Sequence, residues 1–413
     1  MKNKQKSLKL NFIMNAILTM SSFLFPLITF PYVSRVLLPA GTGRVSFANS
    51  VVTYFVMISQ LGIPTYGIRA CAVVRDDEEK LKKTVYELFI INVVMSIFAY
   101  VVFFIALASV PRLRADRNLF LITSTLIFFN TIGVEWLYKA LEQYTYITIR
   151  SIIFKFIALI AMFVLVRKVD DYVIYGGISI FAASASNVFN FIRLRKIIGT
   201  KKVSNLNFNK HFKPVFTFFI ISCATTIYTN LDNVMLGFMK DDVEVGYYNA
   251  ATKIKNILVS IVTSLGTVLM PRASYYIQQE MWDEFYKLSK KAIKFVLLAA
   301  ASMMIYFMIF AREGVLFLSG ETFGGAVVPM IIIMPTLLFI GLTNIMGIQM
   351  LIPMGNENAV MISTFAGAIV DLILNAIFIP FLGSSGAAIG TLVAEFVVLI
   401  VQMVYLKKDV KYL

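Results

Sequence analysis

FIRLRKIIGTKKVSNLNFNKHFKP, from Phe191 to Pro214, carries seven Lys or Arg and no acid near the midpoint of a strongly apolar 413-residue chain. On either side lies a run of about six hydrophobic segments, so the stretch reads as the joint between two halves. The halves also resemble each other. At a constant shift of 203 positions Gly43 falls on Gly246, Ala48 on Ala251, Ile58 on Ile261, and Arg69-Ala70 on Arg272-Ala273, the trace an internal duplication leaves. The expected organisation is an N-terminal six-helix lobe over residues 1–195, a basic cytoplasmic connector over 196–213, and a C-terminal six-helix lobe over 214–413.

Composition fixes the solvent. The chain is 59% hydrophobic and only 15% charged, with a mean hydropathy of +0.79, more apolar surface than a water-soluble fold can bury. Its apolar segments run to about 20 residues, enough at about 1.5 Å per residue to cross a hydrocarbon core of about 30 Å. An all-α polytopic membrane protein of twelve transmembrane helices follows. The segments run over about 8–37, 44–64, 84–110, 118–138, 147–166 and 172–191 in the first half. In the second they run over about 215–239, 247–270, 292–310, 326–351, 359–382 and 387–406.

The net charge of +15 is explained by its placement. Lys and Arg concentrate in alternate loops, the positive-inside pattern, which puts both termini in the cytoplasm and the excess charge against anionic lipid headgroups rather than nucleic acid. Cys71 and Cys223 stand alone in or beside apolar segments and are read as packing residues without a disulfide. The first segment, although preceded by Lys2, Lys4, Lys6 and Lys9, is too long for a signal peptide and stays as a span.

Polar residues inside spans form stripes: Asn11, Asn15, Thr19, Ser22 and Thr29; Ser46, Asn49, Thr53 and Gln60; Ser222, Thr225, Thr229, Asp232 and Asn233; Asn249, Lys253, Asn256, Ser260 and Thr267. Spacings of three and four put each set on one helical face, which either glues helices together or lines a cavity. Charges favour the cavity, because an Arg, Lys or Asp at a helix centre costs about 2.5–3.5 kcal/mol on insertion scales. Arg35, Arg44, Arg69, Lys253, Lys255 and Arg272 are the candidate contacts for an anionic cargo, since Lys and Arg give charge-assisted hydrogen bonds to phosphate oxygens. Arg69 and Arg272 also suit snorkelling to headgroups, and Arg44 an outer-leaflet anchor. Asp232, Asp371 and Glu395 are the candidates for ion coupling, with Asn375 one turn beyond Asp371; a salt bridge to Lys253 or Lys255 is the structural alternative.

No GxxxxGK[ST] stretch is present, and the single histidine, His211, lies at a span edge. Neither a nucleotide site, a metal site nor a cofactor is expected. Trp136 and Trp282 are read as interface anchors.

The stretch Glu135 to Gly177, EWLYKALEQYTYITIRSIIFKFIALIAMFVLVRKVDDYVIYGG, resembles the Wzx-type polysaccharide-biosynthesis flippases at Trp136, Glu142, Tyr146, Arg150, Phe163, Val166, Asp170, Asp171 and Tyr172. LDNVMLGFMKDDVEVGYYNAATKI, Leu231 to Ile254, is similar to the family's Asp-x-x-(M/L)-(L/I)-G…G-Y-Y-x-A-A segment. The resemblance implies the multidrug/oligosaccharidyl-lipid/polysaccharide transporter fold, MATE-like and V-shaped. It also implies an undecaprenyl-diphosphate-linked oligosaccharide as cargo, moved from the inner to the outer leaflet of the bacterial cytoplasmic membrane for capsule, exopolysaccharide or O-antigen synthesis. H+ or Na+ is then the coupling ion, membrane lipids surround the site, and a polysaccharide polymerase and assembly proteins act in the same pathway.

A drug or toxin antiporter of the same fold is the first rival, and for cationic drugs it calls for an acidic rather than a basic cleft. A membrane-embedded polysaccharide polymerase needs catalytic residues on a sizeable outer loop, and the loops are short. The chain is therefore read as a transporter, not an enzyme.

Overall fold

The computed structural model describes residues 8–199 and 205–407, and every regular element among them is helical. Lys201 and Lys202 of the expected connector, Lys2, Lys4 and Lys6, residues 408–413 and the side chain of Thr267 lie outside the described residues. The first half comprises α1 (Leu8–Gln60), α2 (Ile63–Val73), α3 (Glu78–Ser109), α4 (Pro111–Ala115), α5 (Arg117–Gly133), α6 (Glu135–Ala140), α7 (Tyr144–Leu165), α8 (Tyr172–Ile180) and α9 (Asn187–Ile198). The second comprises α10 (Asn209–Met239), α11 (Asp242–Gln278), α12 (Trp282–Ile309), α13 (Ala311–Ser319), α14 (Val327–Ile333), α15 (Thr336–Thr343), α16 (Glu357–Leu382) and α17 (Ser384–Tyr405). Single π-helical stretches at Phe181–Ala185 and Asn344–Leu351 interrupt the α-helical ladder in each half.

Among the described residues eight helices are long and apolar enough to cross a membrane, or nine if the bent pair Glu321–Ile333 and Thr336–Leu351 counts as one span. The difference from twelve segments has identifiable sources. The first two segments lie on either side of a backbone break at Leu38, with φ 60° and ψ 177°, and together they count as one candidate. A leucine held at positive φ ahead of Pro39 is a strained position. Helix α5, with 17 residues, stops at Val134, whose φ is 37°. Helix α11 is not among the eight or nine, and the side chains of Leu265, Thr267, Val268 and Pro271 within it are not described.

By internal contacts the chain divides into one unit of residues 1–37 and 48–226 and another of residues 38–47 and 227–413. The first division falls at the Leu38 break, and the last falls inside α10.

In the first unit, Ile63, Cys71, Val85, Leu88, Leu137, Tyr138 and Ile147 form a core shared by α2, α3, α6 and α7. Both thiols are free, Cys71 buried and Cys223 partly buried. Trp136 belongs to this core at 3% exposure and does not serve as the interface anchor its type implied. Gly67 leaves room for its indole, for a Cβ there would lie 2.8 Å from Trp136 Cδ2. Trp282 is 43% exposed and lies beside Tyr286. Helix α3 starts on Asp77, whose carboxylate accepts from the Lys80 amide at 3.0 Å; that bond holds the carboxyl below the usual aspartate range.

The basic stretch is pinned to α3 by Glu87, fully buried, which accepts from Asn207 N at 2.6 Å, Lys210 Nζ at 2.7 Å and His211 Nε2 at 2.9 Å. Tyr66 OH sits 2.9 Å from the other ring nitrogen of His211. Helices α1 and α7 run side by side in parallel. Thr148 Oγ1 donates to Met14 O at 2.8 Å, and Tyr32 OH donates to Val166 O at 2.7 Å.

Within the second unit the 203-residue shift returns as geometry. A Cβ on Gly43 would strike the carbonyl of Asp242, and one on Gly246 would strike the carbonyl of Pro39. Each contact is the other's image, since 39 and 43 shifted by 203 give 242 and 246. Ser46 and Asn249, equivalent positions under the same shift, are hydrogen-bonded to each other. Glycine at both positions permits the close backbone approach along this seam.

Candidate functional site: a buried carboxylate cluster and the intramembrane cations

Four helices of the second unit meet at Asp232. The α10 carboxylate accepts from Asn375 Nδ2 of α16 at 2.6 Å, from Thr391 Oγ1 of α17 at 3.0 Å and from Tyr248 OH of α11. The Tyr248 and Thr391 oxygens are 2.7 Å apart. Asp371, one turn before Asn375 on α16, is within hydrogen-bonding reach of Asp232. Two carboxylates so close do not both stay ionised without a proton or another cation between them. Glu395, one turn beyond Thr391 on α17, lies beside Tyr228. All three acids are buried.

The cluster has spare acceptor capacity. Asp371 Oδ1 and Asn375 Oδ1 are buried oxygens without a hydrogen-bond donor, and both face the bare Cα of Gly390. A Cβ there would lie 2.9 Å from Asp371 Oδ1 and closer still to Asn375 Oδ1. Orphaned acceptors around a missing side chain fit a small hard cation or a proton, with carboxylate, amide and hydroxyl oxygens as donors. No group of three or more His, Cys, Asp and Glu suited to a metal ion occurs among the described residues, so neutral oxygens would complete any coordination.

Lys255 of α11 is in electrostatic range of Glu395, Asp232 and Asp371; Lys253, two residues earlier, lies on a different side of the helix. Arg44 pairs with Asp242 at 3.2 Å, so one of the expected anion contacts already has an acid. Arg272, exposed at the end of α11, donates from Nε to Tyr276 OH at 2.9 Å and lies over that ring. In the first unit, exposed Arg35 donates to Pro31 O at 2.6 Å just before the Leu38 break, and Arg69 is exposed on α2. The acids thus gather with Lys255, while the six basic candidates are divided between the units.

Sequence reading passed over several partners. Tyr248 and Thr391 carry no charge and look like packing residues until α11 and α17 are brought to Asp232. Arg150 and Lys155 lie inside α7 and their signal was available, since charge within an apolar run is costly. Arg150, 7% exposed, donates to Ser186 O at 2.8 Å and Asn187 Oδ1 at 3.0 Å, beside the π-helical stretch.

An all-helical membrane protein with carboxylates and cations set inside its apolar helices has the construction of a transporter. Solved structures share the fold. The lipid II flippase MurJ in an inward closed conformation matches with a TM-score of 0.71 at 16% identity, over 95% of this chain and 87% of that one. An inward-facing multidrug-resistance MATE transporter of the MOP superfamily matches with a TM-score of 0.70 at 13% identity, over 97% and 98%.

The model of the polysaccharide biosynthesis protein family matches residues 8–278, and the chain belongs to that family. The MatE model matches residues 218–377. Two curated proteins, each named "Putative O-antigen transporter", are similar along their length. That of Escherichia coli (strain K12) is 24% identical over 99% of both chains, and that of Shigella dysenteriae 23% identical over 92% of this chain and 95% of its own.

Proposed function

We propose that this protein moves an undecaprenyl-diphosphate-linked oligosaccharide from the inner to the outer leaflet of the bacterial cytoplasmic membrane by alternating access, with both termini cytoplasmic. The observation that carries the reading is the family match over residues 8–278. Physical chemistry supplies the need: an ionised group moved into hydrocarbon loses of order 20 kcal/mol of hydration in the idealised limit. A diphosphate with its sugars therefore requires a polar, cationic route while the polyprenyl tail stays in lipid. Arg35, Lys253, Lys255 and Arg272 are the cargo contacts in this reading, joined by Arg69 and, if its ion pair opens, Arg44.

H+ or Na+ drives the cycle in this proposal. Asp232, Asp371, Asn375 and Thr391 would hold the ion, with Glu395 and Lys255 setting the local charge. The ion supplies charge neutralisation between the two aspartates; the side chains supply its position and the exclusion of water.

The test is reconstitution into vesicles with a labelled polyprenyl-diphosphate oligosaccharide. Leaflet exchange well above that of protein-free vesicles is expected. Absence of exchange, together with gradient-driven uptake of a cationic dye, would instead favour a drug antiporter, the reading the MatE match over residues 218–377 keeps in view.

A further inference from the structure

Lys155 is the twelfth residue of the 22-residue helix α7, about 15 Å from either helix end. Its Nζ donates to Ser21 Oγ at 2.8 Å and to Ser22 Oγ at 2.9 Å. Both hydroxyls donate in turn to Leu18 O, at 2.7 and 3.2 Å, so they turn lone pairs toward the ammonium. An ammonium has three donors, and among the described residues the third has no acceptor and no carboxylate lies within ion-pair distance. Glu135 acts on Lys155 only at longer range; it is paired with Lys139 at 2.9 Å and lies 3.6 Å from Arg150.

Arg150, on the same helix, is buried among its acceptors. Lys155 is only part-buried, and Ser22, one of its two partners, is exposed on α1, as are Thr19 and Asn15 three and seven residues earlier on the same helical face. Insertion scales charge about 2.5–3.5 kcal/mol for such a lysine, and an uncompensated intramembrane cation is by default a functional group.

We propose that Lys155, held by Ser21 and Ser22, is the first unit's contact for the phosphate oxygens of the transported headgroup. An ammonium held between two hydroxyls, with a donor to spare, is suited to phosphate. Two sources offer phosphate oxygens, a phospholipid and the cargo. Phospholipid phosphates lie at the membrane interface, whereas Lys155 lies mid-helix, a depth that a headgroup in transit passes. The inference rests on the flippase reading and adds to it a residue of the first unit.

The experiment measures binding of undecaprenyl diphosphate to the full-length protein in phosphatidylcholine nanodiscs. Lys155→Gln keeps a polar end for the two serines and removes only the charge; Lys155→Arg keeps the charge. Binding weakened about tenfold or more in Lys155→Gln, with Lys155→Arg close to wild type and thermal unfolding unchanged in both, is the expected result. Equal binding by wild type and Lys155→Gln overturns the assignment while leaving the flippase reading intact. Full competition by phosphatidylglycerol that Lys155→Gln abolishes would assign the site to a bulk lipid headgroup instead. If Lys155→Gln does not fold, Ser21→Ala with Ser22→Ala serves: weaker binding supports the proposal, and wild-type binding contradicts it. Failure of the wild type both to bind undecaprenyl diphosphate and to exchange labelled oligosaccharide would sink the flippase reading itself.

Discussion

Glu87 in the first unit and Asp371 in the second are both carboxylates deep within apolar helices, and their surroundings answer them in opposite ways. Glu87 is met by a lysine ammonium, a histidine ring and a backbone amide; every contact comes from the protein and the charge is satisfied. Asp371 sits against a second carboxylate, and its Oδ1 has no donor. A buried charge closed by its own chain anchors structure, whereas one left open calls for something that arrives and leaves. The first arrangement fastens the basic stretch to α3, and the second is the one proposed above to hold the coupling ion.

The widest separation between the two should come from truncation. Removing one partner of a buried, paired charge costs about 3–5 kcal/mol, so Glu87→Ala should lower the unfolding temperature sharply in detergent, as it strands Lys210 and His211. An unfolding temperature equal to that of the wild type would mean that the stretch is held elsewhere. Asp371→Asn should behave differently. It removes a charge that its surroundings leave open, so thermal unfolding should stay near wild type, while stabilisation by Na+ or by acid should vanish. A variant that still responds to both ions would remove Asp371 from the coupling site.

Gly390→Ala sharpens the comparison further, because its methyl enters the space faced by the two orphaned oxygens. Overpacking costs about 1–3 kcal/mol; cation-dependent stabilisation should be lost, and its survival would place the ion elsewhere. The smallest effect belongs to Arg44→Gln. Its pair with Asp242 is part-exposed, and such pairs contribute about 0–1 kcal/mol, so only a slight change in unfolding temperature is expected. A drop comparable to that of Glu87→Ala would show that the seam through Gly43 and Gly246 depends on this ion pair.

Much of the fold was legible because span length and apolarity are strong one-dimensional signals. The 203-residue shift was visible too, and two of the positions it relates, Ser46 and Asn249, are hydrogen-bonded to each other. What the sequence hid was local geometry. Nothing in Leu37-Leu38-Pro39 announces a leucine at positive φ between the first two segments, and Trp136 has the composition of an anchor although Gly67 makes room to bury it. At the site, Asp371 and Asn375 were visible as an i, i+4 pair on one helix. Tyr248 and Thr391 were not, because neutral hydroxyls acquire a role only once α11 and α17 bring them to Asp232. Lys155 was visible as a charge within a span; its significance depends on which groups on α1 it meets.

The central claim joins the open carboxylates to movement of the cargo, and leaflet exchange under an imposed gradient tests it directly. Vesicles carrying wild-type protein and a labelled polyprenyl-diphosphate oligosaccharide would be given a Na+ or pH step, with Asp371→Asn as the matched comparison. The account predicts exchange that accelerates with one of the two gradients in the wild type and is indifferent to both in Asp371→Asn. Equal acceleration in the two proteins would contradict it.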